Sequence, residues 1–239
     1  MRKPTNKNNT TRRTAPVDDT HDGTSPDIAN RTFARPGALL SFTVFLLALF
    51  GSFYAAQTIS QDNPFAAIQA GPRVSVPLRG DEPQLGPDEA LVTIVEFTDY
   101  GCRYCKTGAQ PLLQALQRYE GQVRLIHKHK PLSGTNGATA AWAAAQQGAF
   151  WEVHASLFLD AGDLNKLAAR HDLDVARFNS DRNSEAAIVA VEDDMRTASA
   201  LGITGTPAFL VNGHHYQGSP NLEQWEQIVE AELDLVQEH

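Results

Sequence analysis

The chain has 239 residues with an ordinary hydrophobic content of 42%, enough for one medium domain with appendages and a single buried core. Its formal charge of -8 is unevenly spread: residues 1–36 carry seven Lys/Arg against four Asp/Glu, leaving 13 basic and 24 acidic side chains after them. An acidic body without a Lys/Arg cluster excludes a broad nucleic-acid surface, because phosphate binding relies on grouped cations that displace counterions.

Residues 1–36 are rich in Thr, Asn, Arg, Pro and Asp and read as a disordered tail with too little apolar surface to fold. Residues 37–56 contain ALLSFTVFLLALFGSFYAA, without a charge, the length that crosses a ~30 Å hydrocarbon core as a helix. Arg31 and Arg35 precede it and Asp62 is the first charge after it, so the excess of cations places the amino terminus in the cytoplasm. The expectation is a single-pass anchor in the inner membrane with the body in the periplasm or its equivalent. A cleaved secretory signal is the rival reading; its apolar stretch is usually shorter and ends in a small-x-small site. Both readings export the domain. Residues 57–72 read as a linker, and the five prolines between 57 and 88 suit an extended tether.

From residue 73 the pattern becomes that of a folded domain. RVSVPL (73–78) alternates and is expected to add an edge strand, and LVTIVEF (91–97) is a β-branched run suited to a buried strand. KTGAQPLLQALQRYE follows as a helix with Leu112, Leu113, Leu116 and Tyr119 at helical spacing, interrupted early by Pro111 and ended by Gly121. VRLIHKH (123–129) is a second strand, and two strands joined by such a helix form a right-handed parallel unit. A helical block then runs from about Gly137 to residue 200, broken at Gly162 and Asp172–Asp174. PAFLVNG and HHYQG read as a hairpin around Asn212-Gly213, and NLEQWEQIVEAELDLV closes the chain as an amphipathic helix. The expected fold class is α/β, a central mixed sheet flanked by helices.

The chain's two cysteines, Cys102 and Cys105, leave no pair for a structural disulfide elsewhere and none for a four-cysteine zinc site. Placed at the start of a helix, they meet its partial positive charge and free N–H groups, which stabilise a thiolate on Cys102. Arg103 adds a cation nearby. A stabilised thiolate makes the disulfide easier to reduce and so favours an oxidant. Cys105, one turn into the helix, is expected to be more buried and to act as the resolving thiol.

EFTDYGCRYCK, FWEVHASLF and GITGTPAFLVNG resemble the DsbA-like family of bacterial thiol:disulfide oxidoreductases across residues 73–239. The resemblance implies a thioredoxin fold with a helical insertion at about 137–200. It also implies that Pro207 is a cis-proline facing the cysteines, that Thr206 offers its backbone to substrate, and that Glu96 is a buried carboxylate moving protons for Cys105. The dipeptide Arg103-Tyr104 departs from the histidine-containing dipeptide of the best-known oxidases, and Thr206 from the valine usual there. Both departures bear on the direction of electron flow.

The implied function is disulfide donation to exported cysteine-containing proteins, with the Cys102–Cys105 disulfide as the redox group and no other cofactor. Reoxidation would come from a membrane redox partner, a quinone-linked reoxidase or an electron carrier. A monomer is expected, since no separate dimerisation domain precedes the catalytic one. The alternatives are a disulfide reductase or isomerase, and a copper-handling thiol module, for which Met1 and Met195 alone offer no thioether cluster. His127 and His129 share a strand face but read as packing residues, so no metal ligand is assigned. His154, His171, His214 and His215 read as surface residues. Trp142, Phe150, Trp151 and Phe158 read as core of the helical block, and Asp99, Tyr100 and Tyr104 as rim or plain surface.

Overall fold

The computed structural model describes residues 71–159 and 162–237. The expected tail, the anchor and all but the last two residues of the linker lie outside the described residues. Among those described, no helix is long and apolar enough to cross a membrane.

Five strands form one mixed sheet. Val92–Thr98 (β2) and Val123–His129 (β3) lie parallel at its centre, joined by the helix Arg103–Arg118 (α1). Gln84–Leu85 (β1) edges β3 antiparallel, while Ala208–Val211 (β4) and His214–Gln217 (β5) continue beyond β2 as an antiparallel hairpin, giving the order β1-β3-β2-β4-β5. Asn212 and Gly213 turn the hairpin with φ of 45° and 91°, the paired positive values that match the twist of the flanking strands. Between β3 and β4 lies the helical block Asn136–Ala145 (α2), Phe150–Leu159 (α3), Leu164–Arg170 (α4), Val175–Arg182 (α5) and Glu185–Ala200 (α6); Leu222–Gln237 (α7) ends the described chain.

Strand alternation sorts the core into layers. Val92, Ile94, Val123 and Leu125 face α1 and α7, meeting Leu112, Ala115, Trp225, Ile228 and Val229. Val95, Phe97, Ile126 and Leu210 face the other way, toward Ala198 of α6 and Ile203. The block has a core of its own, built from the alanines of α2 with Phe150, Val153, Leu157, Leu167 and Phe178. Its helix starts are set by side chains accepting free backbone N–H groups: Asp163 from Asn165 and Lys166, Asp174 from Ala176 and Arg177, and Ser184 from Ala187. Asn221 and Gln224 cap α7 reciprocally, each accepting the other's backbone N–H at 2.9 Å.

Two sequence expectations are corrected. Residues 73–78 form no strand. Pro77 has no N–H to give a ladder, Val74 donates to the Gly213 carbonyl at 2.9 Å, and the edge beside β3 is taken by β1. Pro111 does not interrupt α1, which runs through it. Buried Cys105 and Gly108 before it and Leu112 and Ala115 after it hold both halves against the domain, offsetting the one helical bond that proline removes.

The opposite side of β3 carries Lys128, 1% exposed. Its Nζ lies 2.8 Å from Glu82 and 3.0 Å from Asp194, and Asp194 also takes Arg79 at 2.6 Å and the His129 N–H at 3.0 Å. This network ties the segment preceding β1 and helix α6 to the sheet.

Candidate active site

The segment leaving β2 is held by Asp99. One carboxylate oxygen accepts the Gly101 N–H at 2.9 Å; the other accepts the Leu132 N–H at 3.1 Å and the Ser133 hydroxyl at 3.2 Å. The Asp99 carbonyl accepts the Cys102 N–H at 3.0 Å. A single buried side chain therefore fixes the turn into α1 against the loop after β3. Gly101 permits the approach, since a Cβ there would stand 2.2 Å from Ser133 Oγ. No local pattern signals this double anchoring, because Leu132 and Ser133 lie more than thirty residues away.

Cys102 occupies the N-cap of α1 and Cys105 its first turn. Both are free thiols, Cys102 partly exposed and Cys105 buried. Cys102 Sγ donates to the Thr206 carbonyl at 3.3 Å, and the Thr206–Pro207 peptide is cis, so the segment before β4 runs directly over the sulfur. Partial burial pushes the Cys102 pKa up, but donors from Cys105, Thr206 and Tyr104 outweigh it and draw the thiol below its ordinary value. Burial pushes Cys105 up to about 12. The two sulfurs thus differ in the sense thiol exchange requires: one accessible and acidic, one sheltered and basic. Arg103 and Tyr104 point outward, the guanidinium 5.0 Å from the Tyr104 ring centre and absent from the contacts that lower Cys102. The acidity comes from the helix start rather than from the arginine.

Behind the cysteines, Glu96 and Thr98 of β2 and His127 and His129 of β3 share one face and are all buried. The buried Thr98 hydroxyl draws both the Glu96 carboxyl and the Cys105 thiol down, while making no hydrogen bond in this conformation. Burial raises the Glu96 pKa, partly opposed by His154 and Thr98. His127 Nε2 and His129 Nδ1 are 3.1 Å apart, and the Tyr100 hydroxyl is 2.8 Å from His154 Nδ1. Burial, helped by the Lys128 charge for His127 and by His127 for His154, lowers both of these histidines to about 3, which keeps the rings neutral. Among the described residues, Glu96, His127 and His154 are the group able to bring donor atoms within 4.8 Å of one another.

Two histidines expected at the surface are inside. His154 is 6% exposed because α3 lays its whole stripe of Phe150, His154 and Phe158 on the end of the sheet. Phenylalanines four residues to either side were the available signal. His214 opens β5 on the same face as buried Tyr216, and its Nδ1 meets the buried Glu232 carboxylate at 2.6 Å. His215, one residue on, is exposed, and half-buried His171 pairs with the Ser156 hydroxyl at 2.8 Å. Phe150 and Phe158 are core residues while Trp142 and Trp151 are half-buried, and Tyr104 is exposed.

The model of the thioredoxin family matches residues 79–231. The chain belongs to that family. Its solved neighbours include a thioredoxin-like oxidoreductase from Silicibacter pomeroyi, 28% identical with a TM-score of 0.59, covering 66% of this chain and 94% of that one. BdbD from Bacillus subtilis, in its oxidised form, is 25% identical at a TM-score of 0.59, covering 69% and 100%. The α-DsbA1 of Wolbachia pipientis, 20% identical with a TM-score of 0.60 over 67% and 94%, shares the fold. These neighbours share the fold, and with the family match they support a thiol:disulfide oxidoreductase. Curated relatives include the Na(+)/H(+) antiporter NhaA 1 of Salinispora arenicola, 37% identical over 148 residues. That match takes in 58% of this chain and 22% of that protein. A similar match, at 36% identity, is to NhaA of Herminiimonas arsenicoxydans, covering 61% and 25%. The chain thus spans about a fifth to a third of the length of the curated relatives it matches.

Proposed function

We propose that this member of the thioredoxin family donates disulfides to exported proteins. The observation that carries the reading is the placement of the two sulfurs: Cys102 partly exposed at the N-cap of α1, 3.3 Å from the Thr206 carbonyl, and Cys105 buried in the first turn behind it. A Cys102 thiol drawn below its usual pKa beside a Cys105 pushed to about 12 stabilises the reduced pair on the attacked sulfur and favours passing the disulfide on.

The cycle starts with the Cys102–Cys105 disulfide. A substrate thiolate attacks Cys102 Sγ, forming an intermolecular disulfide and releasing Cys105 as a thiolate, which takes a proton. Glu96, reached through Thr98, is the carboxyl assigned to deliver it. A second substrate thiolate then attacks the substrate sulfur of the mixed disulfide and expels the Cys102 thiolate. Two electrons have moved to the protein, and the substrate leaves with a new disulfide. Thr206 and Pro207, lying over Cys102, are assigned to hold the substrate backbone, with the exposed Arg103-Tyr104 pair at the rim.

A membrane partner, either a quinone-linked reoxidase or an electron carrier, is proposed to restore the disulfide. Residues 37–56 are proposed to anchor the chain with the catalytic domain outside the cytoplasm, as a monomer with no nucleic-acid partner and with the cysteine pair as the redox group that carries out the exchange. The test is to mix the oxidised full-length chain with a reduced, unfolded protein of known disulfides and follow its free thiols. Disulfide gained by the substrate in step with loss of the Cys102–Cys105 disulfide, and no transfer by Cys102→Ala, is the expected result. Unchanged substrate thiols, together with reduction of disulfide-bonded insulin by the reduced chain, would make the protein a reductase.

A further inference from the structure

We propose that Glu96, His127 and His154 form a buried site for one divalent transition-metal cation, of which Zn2+ is the best fit. The three side chains come from different elements, β2, β3 and α3, and each can bring a donor atom within 4.8 Å of the other two. Zinc held at its usual bond lengths places tetrahedral donors about 3.4 Å apart, so donors that all lie within 4.8 Å of one another have to close by about 1.4 Å at most. His127 Nδ1 already lies 3.8 Å from a Glu96 oxygen.

The second observation is an unsatisfied ligand. His127 is fully buried, yet its Nδ1 has no hydrogen-bond partner, a costly state for a polar nitrogen unless something fills the gap. Its other nitrogen is paired with His129 Nδ1 at 3.1 Å, so with the proton on Nε2 the Nδ1 lone pair points free toward Glu96. His154 has a matching arrangement: Tyr100 holds its Nδ1 at 2.8 Å, leaving Nε2 to coordinate. Outer partners that fix the tautomer and aim the ring are the usual support of a ligating histidine.

Two imidazoles and one carboxylate suit a borderline ion; Ca2+ and Mg2+ prefer all-oxygen sites and Cu(I) prefers sulfur. An ion at this point would staple the helical insertion to the two central strands and, while bound, withhold the Glu96 carboxylate from proton delivery to Cys105, so the proton step belongs to the metal-free chain.

The test uses the full-length chain carrying Cys102→Ser and Cys105→Ser, which removes thiolate binding and makes the outcome independent of the direction of thiol exchange. Co2+ is titrated and followed by its visible d–d bands, then displaced by Zn2+. The expected result is one equivalent bound, a higher unfolding temperature with Zn2+, and affinity at least about tenfold weaker in His154→Gln and in His127→Gln. X-ray absorption of the bound ion in the unsubstituted-histidine chain should show two imidazoles, a readout that needs neither variant to fold. No saturable binding, an oxygen-only shell, or affinity unchanged in both folded variants would overturn the site.

Discussion

Alkylation of the reduced chain should separate the two cysteines by more than three orders of magnitude at pH 8. Cys105, pushed to about 12, sits about four units above that pH and is about one part in 10,000 thiolate. Cys102 lies below its ordinary value of 9.0, so at least about a tenth of it is thiolate. The ratio of attacking species is therefore on the order of 1,000 or more. Burial of Cys105 at 1% exposure widens it by denying the reagent access. Iodoacetamide quenched at intervals, followed by peptide mass spectrometry, reads both rates in one sample. The Cys102 rate should rise with pH through a midpoint below 9.0, as its depressed pKa requires. Modification of both sulfurs within tenfold of each other, or Cys105 reacting first, would refute the assignment of roles.

Lys128→Met should destabilise the domain by about 3 to 5 kcal/mol, because it strips the buried Glu82 and Asp194 carboxylates of their shared cation. Arg79, still 2.6 Å from Asp194, should hold the loss near the lower figure, and urea denaturation measures it. Glu82 is buried, but Lys128 and the Arg79 and Gly80 N–H groups hold it down to about 2. Its contribution to stability is thus complete above the unfolded carboxylate value near 4.5 and lost as pH falls from there through 2; a flat profile between pH 5 and 2 in a Glu82→Gln comparison would argue otherwise. Asp99→Ala removes the acceptor for Gly101, Leu132 and Ser133. Amide exchange should then quicken at residues 100–103 and 132–134 while β3 stays protected.

The sheet centre was legible because its strands are apolar β-branched runs, and the hairpin because Asn212-Gly213 admits one turn type. The helix start carrying the cysteines followed from strand-turn-helix order alone. Other features depended on partners distant in sequence. Gln84–Leu85 is two residues long and becomes a strand only because β3 offers an open edge, while the better-patterned 73–78 finds none. Pro111 looked like a helix breaker, but packing on both sides of it overrides the propensity. His154 and His214 looked polar and external, yet each is buried against a partner, Tyr100 or Glu232, that periodicity does not reveal. Asp99 binds a loop more than thirty residues ahead, an interaction no local pattern encodes.

The most direct measurement is the equilibrium of the full-length chain with glutathione buffers, scored as the fraction of Cys102–Cys105 disulfide. A donor predicts a potential well above the roughly -270 mV of a reducing thioredoxin, set by a thiolate that the start of α1 stabilises. A value at or below roughly -270 mV would contradict disulfide donation and make the same pair a reductant.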